Sequence, residues 1–134
     1  MGCANFTDLE RRSISATIER ATGFPGVIGL IDGTHVEITA PLADAAQYVN
    51  RHHLYSINVQ AVVDSTLLVR HLHVGEPGNM NDNRVFRRSS LYKDLLTNPG
   101  DFINPDEHIL GDGAYTQSDY VSKHSTSPHH LPDI

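Results

Sequence analysis

The chain has 134 residues, enough for one domain, and its 39% hydrophobic and 19% charged content supports a modest core and excludes the composition of a disordered chain. Its formal charge of −6 argues against tight duplex binding by this chain alone, because such affinity rests on Lys and Arg neutralising phosphates. The same balance is compatible with a carboxylate-rich site in which a metal ion supplies positive charge locally.

The N-terminus reads Met1-Gly2-Cys3-Ala4-Asn5-Phe6. It departs from a myristoylation signal by placing Phe6 where Ser or Thr is wanted, and it is not a secretory signal. Cys3 is the only cysteine, which excludes an internal disulfide and a thiolate zinc cage and points to a reducing intracellular compartment. Residues 7–22 predict a helix capped by Thr7 or Asp8, with Ile14, Ile18 and Ala21 on one face and Gly23-Phe24-Pro25-Gly26 ending it. Val27-Ile28-Gly29-Leu30-Ile31 is a short apolar run of the kind that forms a strand buried on both faces, with Asp32-Gly33-Thr34 after it and room to continue extended through Val36 and Ile38 to Pro41. Residues 43–48 are read as one helical turn or a loop.

Residues 54–63 alternate: Tyr55, Ile57, Val59, Ala61 and Val63 point one way, Ser56, Asn58 and Gln60 the other. A turn at Asp64-Ser65-Thr66 and a second strand over 67–74 make a hairpin. One helix is expected over 81–97, using Val85, Phe86, Leu91, Leu95 and Leu96 as its apolar positions and stopped by Asn98-Pro99-Gly100. His108-Ile109-Leu110-Gly111-Asp112 predicts another short buried strand. Helix, strand, hairpin, helix and parallel strand make a mixed α/β plan. The expected segments are an N-terminal helical part over 1–22, a catalytic-type domain over 23–120 and a polar, unstructured tail over 121–134.

Open α/β sheets place ligands beyond the carboxyl ends of their strands, and Asp32 and Asp112 are read at two such ends. Hard carboxylates on adjacent strands suit Mg²⁺ or Mn²⁺, which favour oxygen ligands. Gly33 and Gly113 are expected to let the backbone turn away after each Asp. An Asp-Gly pair is also an ordinary turn dipeptide, so spacing alone leaves both readings open.

Four blocks add to this reading. Residues Phe24-Pro25-Gly26-Val27-Ile28-Gly29-Leu30-Ile31-Asp32-Gly33-Thr34-His35 closely resemble the first catalytic block of the PIF/Harbinger transposases and the nucleases domesticated from them. Tyr48-Val49-Asn50-Arg51 followed by Tyr55-Ser56-Ile57-Asn58-Val59-Gln60 resembles that family's next block. Pro77-Gly78-Asn79-Met80-Asn81-Asp82-Asn83-Arg84-Val85-Phe86 is similar to its Pro-Gly-Ser-x-His-Asp-Ser block, with Asn81 in place of His, and Leu110-Gly111-Asp112-Gly113-Ala114-Tyr115 to its Gly-Asp-Ser-Gly-Tyr block. The resemblance implies a ribonuclease H-like sheet with flanking helices, a DDE-type carboxylate centre and a divalent metal cation (Mg²⁺ or Mn²⁺). It makes Asp32, Asp82 and Asp112 the catalytic and metal-binding residues; Asp82 also opens a helix, where an Asp serves as a cap. It further implies DNA as substrate, a Myb-like DNA-binding partner protein and a nuclear setting, with the cytoplasm as an additional location.

The family's third ligand is a Glu on a later helix, in an Ile-Glu-Arg-like block, and nothing after Tyr120 resembles it. Ile18-Glu19-Arg20 is a similar tripeptide on the wrong side of the core. The chain thus reads as C-terminally truncated. Two functions follow: a metal-dependent endonuclease, or a catalytically inactive remnant acting at most as an interaction module.

Other candidates have simpler readings. His71 and His73 share a strand face and are expected to face solvent rather than a metal. His35 either positions a phosphate or water, or is a strand histidine bonded to backbone. Asp64 is read as a turn residue, Asp44, Asp101, Asp106 and Glu107 as loop residues without a role, and Arg84, Arg87 and Arg88 as a DNA-contacting cluster or a solvated helix face.

Overall fold

The computed structural model describes residues 7–111 and 121–123. Helix α1 (Asp8–Thr22) starts where Thr7 accepts the Glu10 N–H and ends at Gly23, in the left-handed region at φ 83°. Its buried face is Arg11, Ile14, Ile18 and Thr22, at helical spacings of three and four. Strand β1 (Val27–Glu37) is followed by a 3₁₀ turn (Ala45–Tyr48), then by β2 (Ser56–Val63) and β3 (Val69–Pro77). Helices α2 (Asp82–Arg88) and α3 (Ser90–Thr97) lead to β4 (His108–Gly111) and β5 (Val121–Lys123).

The sheet order is β3-β2-β1-β4-β5, with β1–β2 and β2–β3 antiparallel and β1–β4 and β4–β5 parallel. This mixed sheet with helices on both faces meets the ribonuclease H-like expectation. On one face, Ile14 and Ile18 of α1 bury against Val27 and Leu110. On the other, Ile28, Ile31, Val62, Ile109 and Val121 pack with Phe86, Leu91 and Leu95. Residues 27–31 are therefore sandwiched, as their unbroken apolar run requires.

Several expectations change. The helix expected over 81–97 is two helices broken at Ser89, which sits at extended ψ 154°, caps α3 through the Tyr92 N–H and donates its hydroxyl to the Phe86 carbonyl. Leu96 is exposed rather than part of the core. Strand β1 runs on to Glu37, in line with the expected extended continuation, so Asp32 is inside the strand and not at its end. Val121–Lys123, placed in the unstructured tail, forms β5 with Val121 fully buried. The alternation in β2 is inverted relative to hydropathy. Ser56, Asn58 and Gln60 are 1–2% exposed, whereas Ile57, Val59, Ala61 and Val63 are only half-buried.

Charged groups tie α1 to the sheet. Arg11 is 4% exposed and Glu107 7%, and they form an ion pair at 3.0 Å; Arg11 also pairs with Asp8. Glu107, far from idle, also accepts the Asn104 N–H. At the other end, Asp64 is buried and accepts from the Thr66 and Leu68 backbone and the Thr66 hydroxyl. Burial would raise its carboxyl pKa, but the hydrogen bonds from Thr66, Arg70 and Leu68 outweigh that and lower it. Arg70 bridges Asp64 at 2.9 Å and Glu10 at 2.8 Å, so the β2–β3 turn grips α1.

His71 corrects another expectation. It is 2% exposed, facing α3, with Nε2 at 3.1 Å from Ser90 Oγ. Burial lowers its pKa, and the neighbouring His73 adds to the effect.

Two outcomes follow. Glu107→Gln removes the buried counter-charge of Arg11 and leaves it the exposed Asp8 carboxylate alone, and urea unfolding is expected to show a loss of about 1–3 kcal/mol. For His71, the folded pKa lies below the unfolded value, so the unfolded chain takes up the proton first. Stability is full above the ordinary histidine pKa of about 6.5 and falls as the pH drops below it. His108, also lowered by burial, adds to the same slope. His71→Phe is expected to flatten the fall in thermal midpoint between about pH 7 and 5, with His108 leaving a residue of it.

Candidate functional site

Strand β1 has two halves. Residues 27–30 pair with β2 through Leu30 and with β4 throughout; from Ile31 onward only β2 pairs with β1 among the described residues. Because Leu30 is opposite Leu110, β4 reaches Gly111 beside Ile31, one residue short of Asp32. Asp112 lies outside the described residues. Asp32 is exposed, is paired with Ala61, and its Oδ1 accepts the Gly33 N–H at 2.9 Å.

Gly33 does not turn the chain. It sits in the ladder opposite Gln60, and its role is close approach. A Cβ built there would lie 2.6 Å from Asp82 Oδ1, so only a glycine lets that carboxylate rest against the strand. Asp82 is the first residue of α2, not its cap; Asn81 is the cap, accepting the Arg84 N–H at 2.9 Å. Alternation points the Asp32 side chain to the α1 side of the sheet, whereas Asp82 of α2 rests against the next residue, Gly33, on the other side. Both offer only oxygen donors, which suits a hard divalent cation. Among the described residues, no three His, Cys, Asp or Glu side chains cluster closely enough to complete such a site.

Beside Asp82 a groove of about 410 Å³ opens, lined by Gly33 and His35 of β1, residues 49–51 and residues 78–82. Three segments distant in sequence form its walls, and hydrogen bonds from the buried polar side of β2 hold them there. Asn58 Nδ2 donates to the Pro77 carbonyl at 2.7 Å and to that of Met80 at 3.4 Å. Asn79 N donates to the Gln47 carbonyl. Asn50, 8% exposed, organises the 49–55 turn by accepting the His52 and Leu54 N–H groups and donates Nδ2 to Ser56 Oγ. Ser56 Oγ in turn meets His35 Nδ1 at 2.9 Å. His35 is thus bonded to a side chain, not to backbone.

Hydropathy alone did not single out Asn50, Ser56, Asn58 and Gly78, although all four lie in the family-like blocks; the shared face of Ser56 and Asn58 was the available signal. Arg84, Arg87 and Arg88 are exposed, and Arg88 pairs with Glu76 at 2.8 Å. His73 lies 3.4 Å from the same Glu76, away from the groove.

Gly78 permits the tightest contact. A Cβ there would stand 2.7 Å from both the Tyr48 and Ser56 carbonyl oxygens and closer still to Ser56 Oγ. These are backbone atoms and a buried hydroxyl that cannot swing aside. Gly78→Ala is expected to lower the thermal midpoint by about 5–15 °C through overpacking. An Ala at Gly100, where nothing lies within 4 Å, should leave it within a degree or two.

The family described as DDE superfamily endonuclease matches residues 31–131. A Rattus norvegicus protein named "Putative nuclease HARBI1" is 33% identical over 111 residues, covering 83% of this chain and 30% of its own length. Its Mus musculus namesake is 38% identical over 93 residues, covering 69% of this chain and 26% of its own. An Arabidopsis thaliana "Protein ALP1-like" is 28% identical over 115 residues, 76% of this chain and 28% of its own. The chain spans less than a third of the length of these curated relatives. No solved structure matches it significantly. The span and position of the family match, together with the identity to the two rodent proteins, place this chain in the DDE superfamily endonuclease family.

Proposed function

We propose that the chain carries part of a metal-dependent DNA endonuclease centre that hydrolyses phosphodiester bonds. The observation behind this reading is the convergence of three family-like blocks on one groove that contains Asp82, with Asp32 next to the groove residue Gly33 on β1. Asp32, Asp82 and Asp112 are the residues we assign to a divalent cation, Mg²⁺ or Mn²⁺. A cation so held supplies a water of lowered pKa and neutralises charge on the phosphate.

The chain's own groups then have distinct tasks. Asp32 offers its carboxylate two residues past the last β1–β4 pair among the described residues, Leu30–Leu110. Gly33 keeps the strand thin enough for Asp82 to rest against it. Residues 49–51 and 78–82, pinned by Ser56 and Asn58, form the walls against which a strand of nucleic acid lies. The charge of −6 leaves little general attraction for DNA. A Myb-like DNA-binding partner and a nuclear setting complete the proposal.

A second reading, a non-catalytic interaction module, is favoured by the placement of Asp32 and Asp82 on opposite faces of the sheet.

Thermal unfolding separates the two. Millimolar Mn²⁺ is expected to raise the midpoint by about 3–8 °C through preferential binding to the folded state. The rise should vanish in an Asp32→Asn/Asp112→Asn variant and shrink in Asp82→Asn. An equal response in parent and double variant would leave the non-catalytic reading.

A further inference from the structure

The hydrogen bonds beneath the groove have a direction that can be deduced from donor and acceptor chemistry. Asn50 Oδ1 accepts from the His52 and Leu54 backbone N–H groups at 2.8 and 3.3 Å. Backbone N–H groups only donate, so the amide orientation is settled and Nδ2 is the atom that donates to Ser56 Oγ at 3.0 Å. Ser56 is 1% exposed, and the remaining partner for its hydroxyl proton among the described residues is His35 Nδ1 at 2.9 Å. Leaving a buried donor unpaired is costly, so the proton goes to His35. Nδ1 is then an acceptor, and in a neutral imidazole the ring proton sits on Nε2.

We propose that His35 is a positioning residue, locked as its Nε2–H tautomer by the Asn50–Ser56 relay, that donates this hydrogen to a non-bridging phosphate oxygen of a nucleic-acid strand in the groove. This rests on the nuclease reading. His35 lines the groove with Arg51 and Asn81, and among the described residues its Nε2 has no protein partner. Phosphate oxygens only accept, and Nε2–H only donates, so the two are matched. The same argument excludes Nε2 as a metal ligand. Ligation would need its lone pair, which would put the ring proton on Nδ1 and leave the buried Ser56 hydroxyl proton without an acceptor.

The test uses the whole chain labelled with ¹⁵N. Imidazole ¹⁵N spectra, with His35 assigned by its disappearance in His35→Gln, should show the proton on Nε2. Adding short duplex DNA with Ca²⁺ in place of Mg²⁺ should move the His35 Nε2 resonance. His35→Ala should weaken binding of that DNA by about 10–100-fold, the scale of one lost hydrogen bond to a charged acceptor. His35→Gln, whose amide can set a donor near the Nε2 position, should stay within about twofold of the parent, well short of the loss of a full hydrogen bond. A proton on Nδ1 overturns the relay. An unmoved Nε2 resonance, equal affinity of His35→Ala and parent, His35→Gln as weak as His35→Ala, or no DNA binding by the parent overturns the phosphate contact. The Mn²⁺ response judges the nuclease reading separately, because His35→Ala is expected to keep it.

Discussion

Ser56 and Asn58 lie under two loops on a strand whose hydropathy would suggest the opposite orientation. Burying a hydroxyl or amide is costly unless it is hydrogen-bonded, and here each bond of Ser56 and Asn58 goes to a segment that forms the groove. The desolvation cost of these side chains is offset only when residues 49–51 and 77–80 are in place. The polar face of β2 therefore specifies the loops more sharply than an apolar face could, since hydrophobic contact is indifferent to small shifts and a hydrogen bond is not. Gln60, next along the same face, has neither amide atom paired among the described residues, and nothing in the structure explains it.

The groove also needs glycines at two contacts. Gly33 admits the Asp82 carboxylate to the side of β1, and Gly78 admits a turn against the Tyr48 and Ser56 carbonyls. In both places the missing Cβ is a distance requirement, not a conformational one. This links backbone packing to the placement of a carboxylate: a methyl group on β1 would displace the Asp82 carboxylate from its place against the strand.

Two ion-pair systems hold the scaffold around this region. Arg11–Glu107 joins α1 to the loop before β4, and Asp64–Arg70–Glu10 joins α1 to the β2–β3 turn. Both anchor the helix that covers the sheet face opposite the groove. Buried pairs of this kind are weak contributors to net stability but strongly penalise misplacement of either partner. That suits a small domain whose apolar core is split between two sheet faces.

The amino-acid sequence determined the local elements wherever one signal dominated. Residues 27–31 announced a sandwiched strand through an unbroken apolar run, and Thr7 and Gly23 announced both ends of α1 through capping chemistry. The hairpin and the parallel return to β4 followed from order and spacing, and the blocks around Asp32, Asn50 and Asp82 carried the family. Tertiary structure decided what depends on a distant partner. Ser89 breaks a continuous helical pattern because its side chain caps α3 and answers the Phe86 carbonyl, a choice that packing against the sheet rewards. His71 is inside because α3 lies over it, and Glu107 matters because Arg11 reaches it from 96 residues away in sequence. The period-2 pattern of β2 showed which residues share a face; only the loops and α2 settled that the polar face is buried, because hydrogen-bond partners far along the chain are invisible to local periodicity.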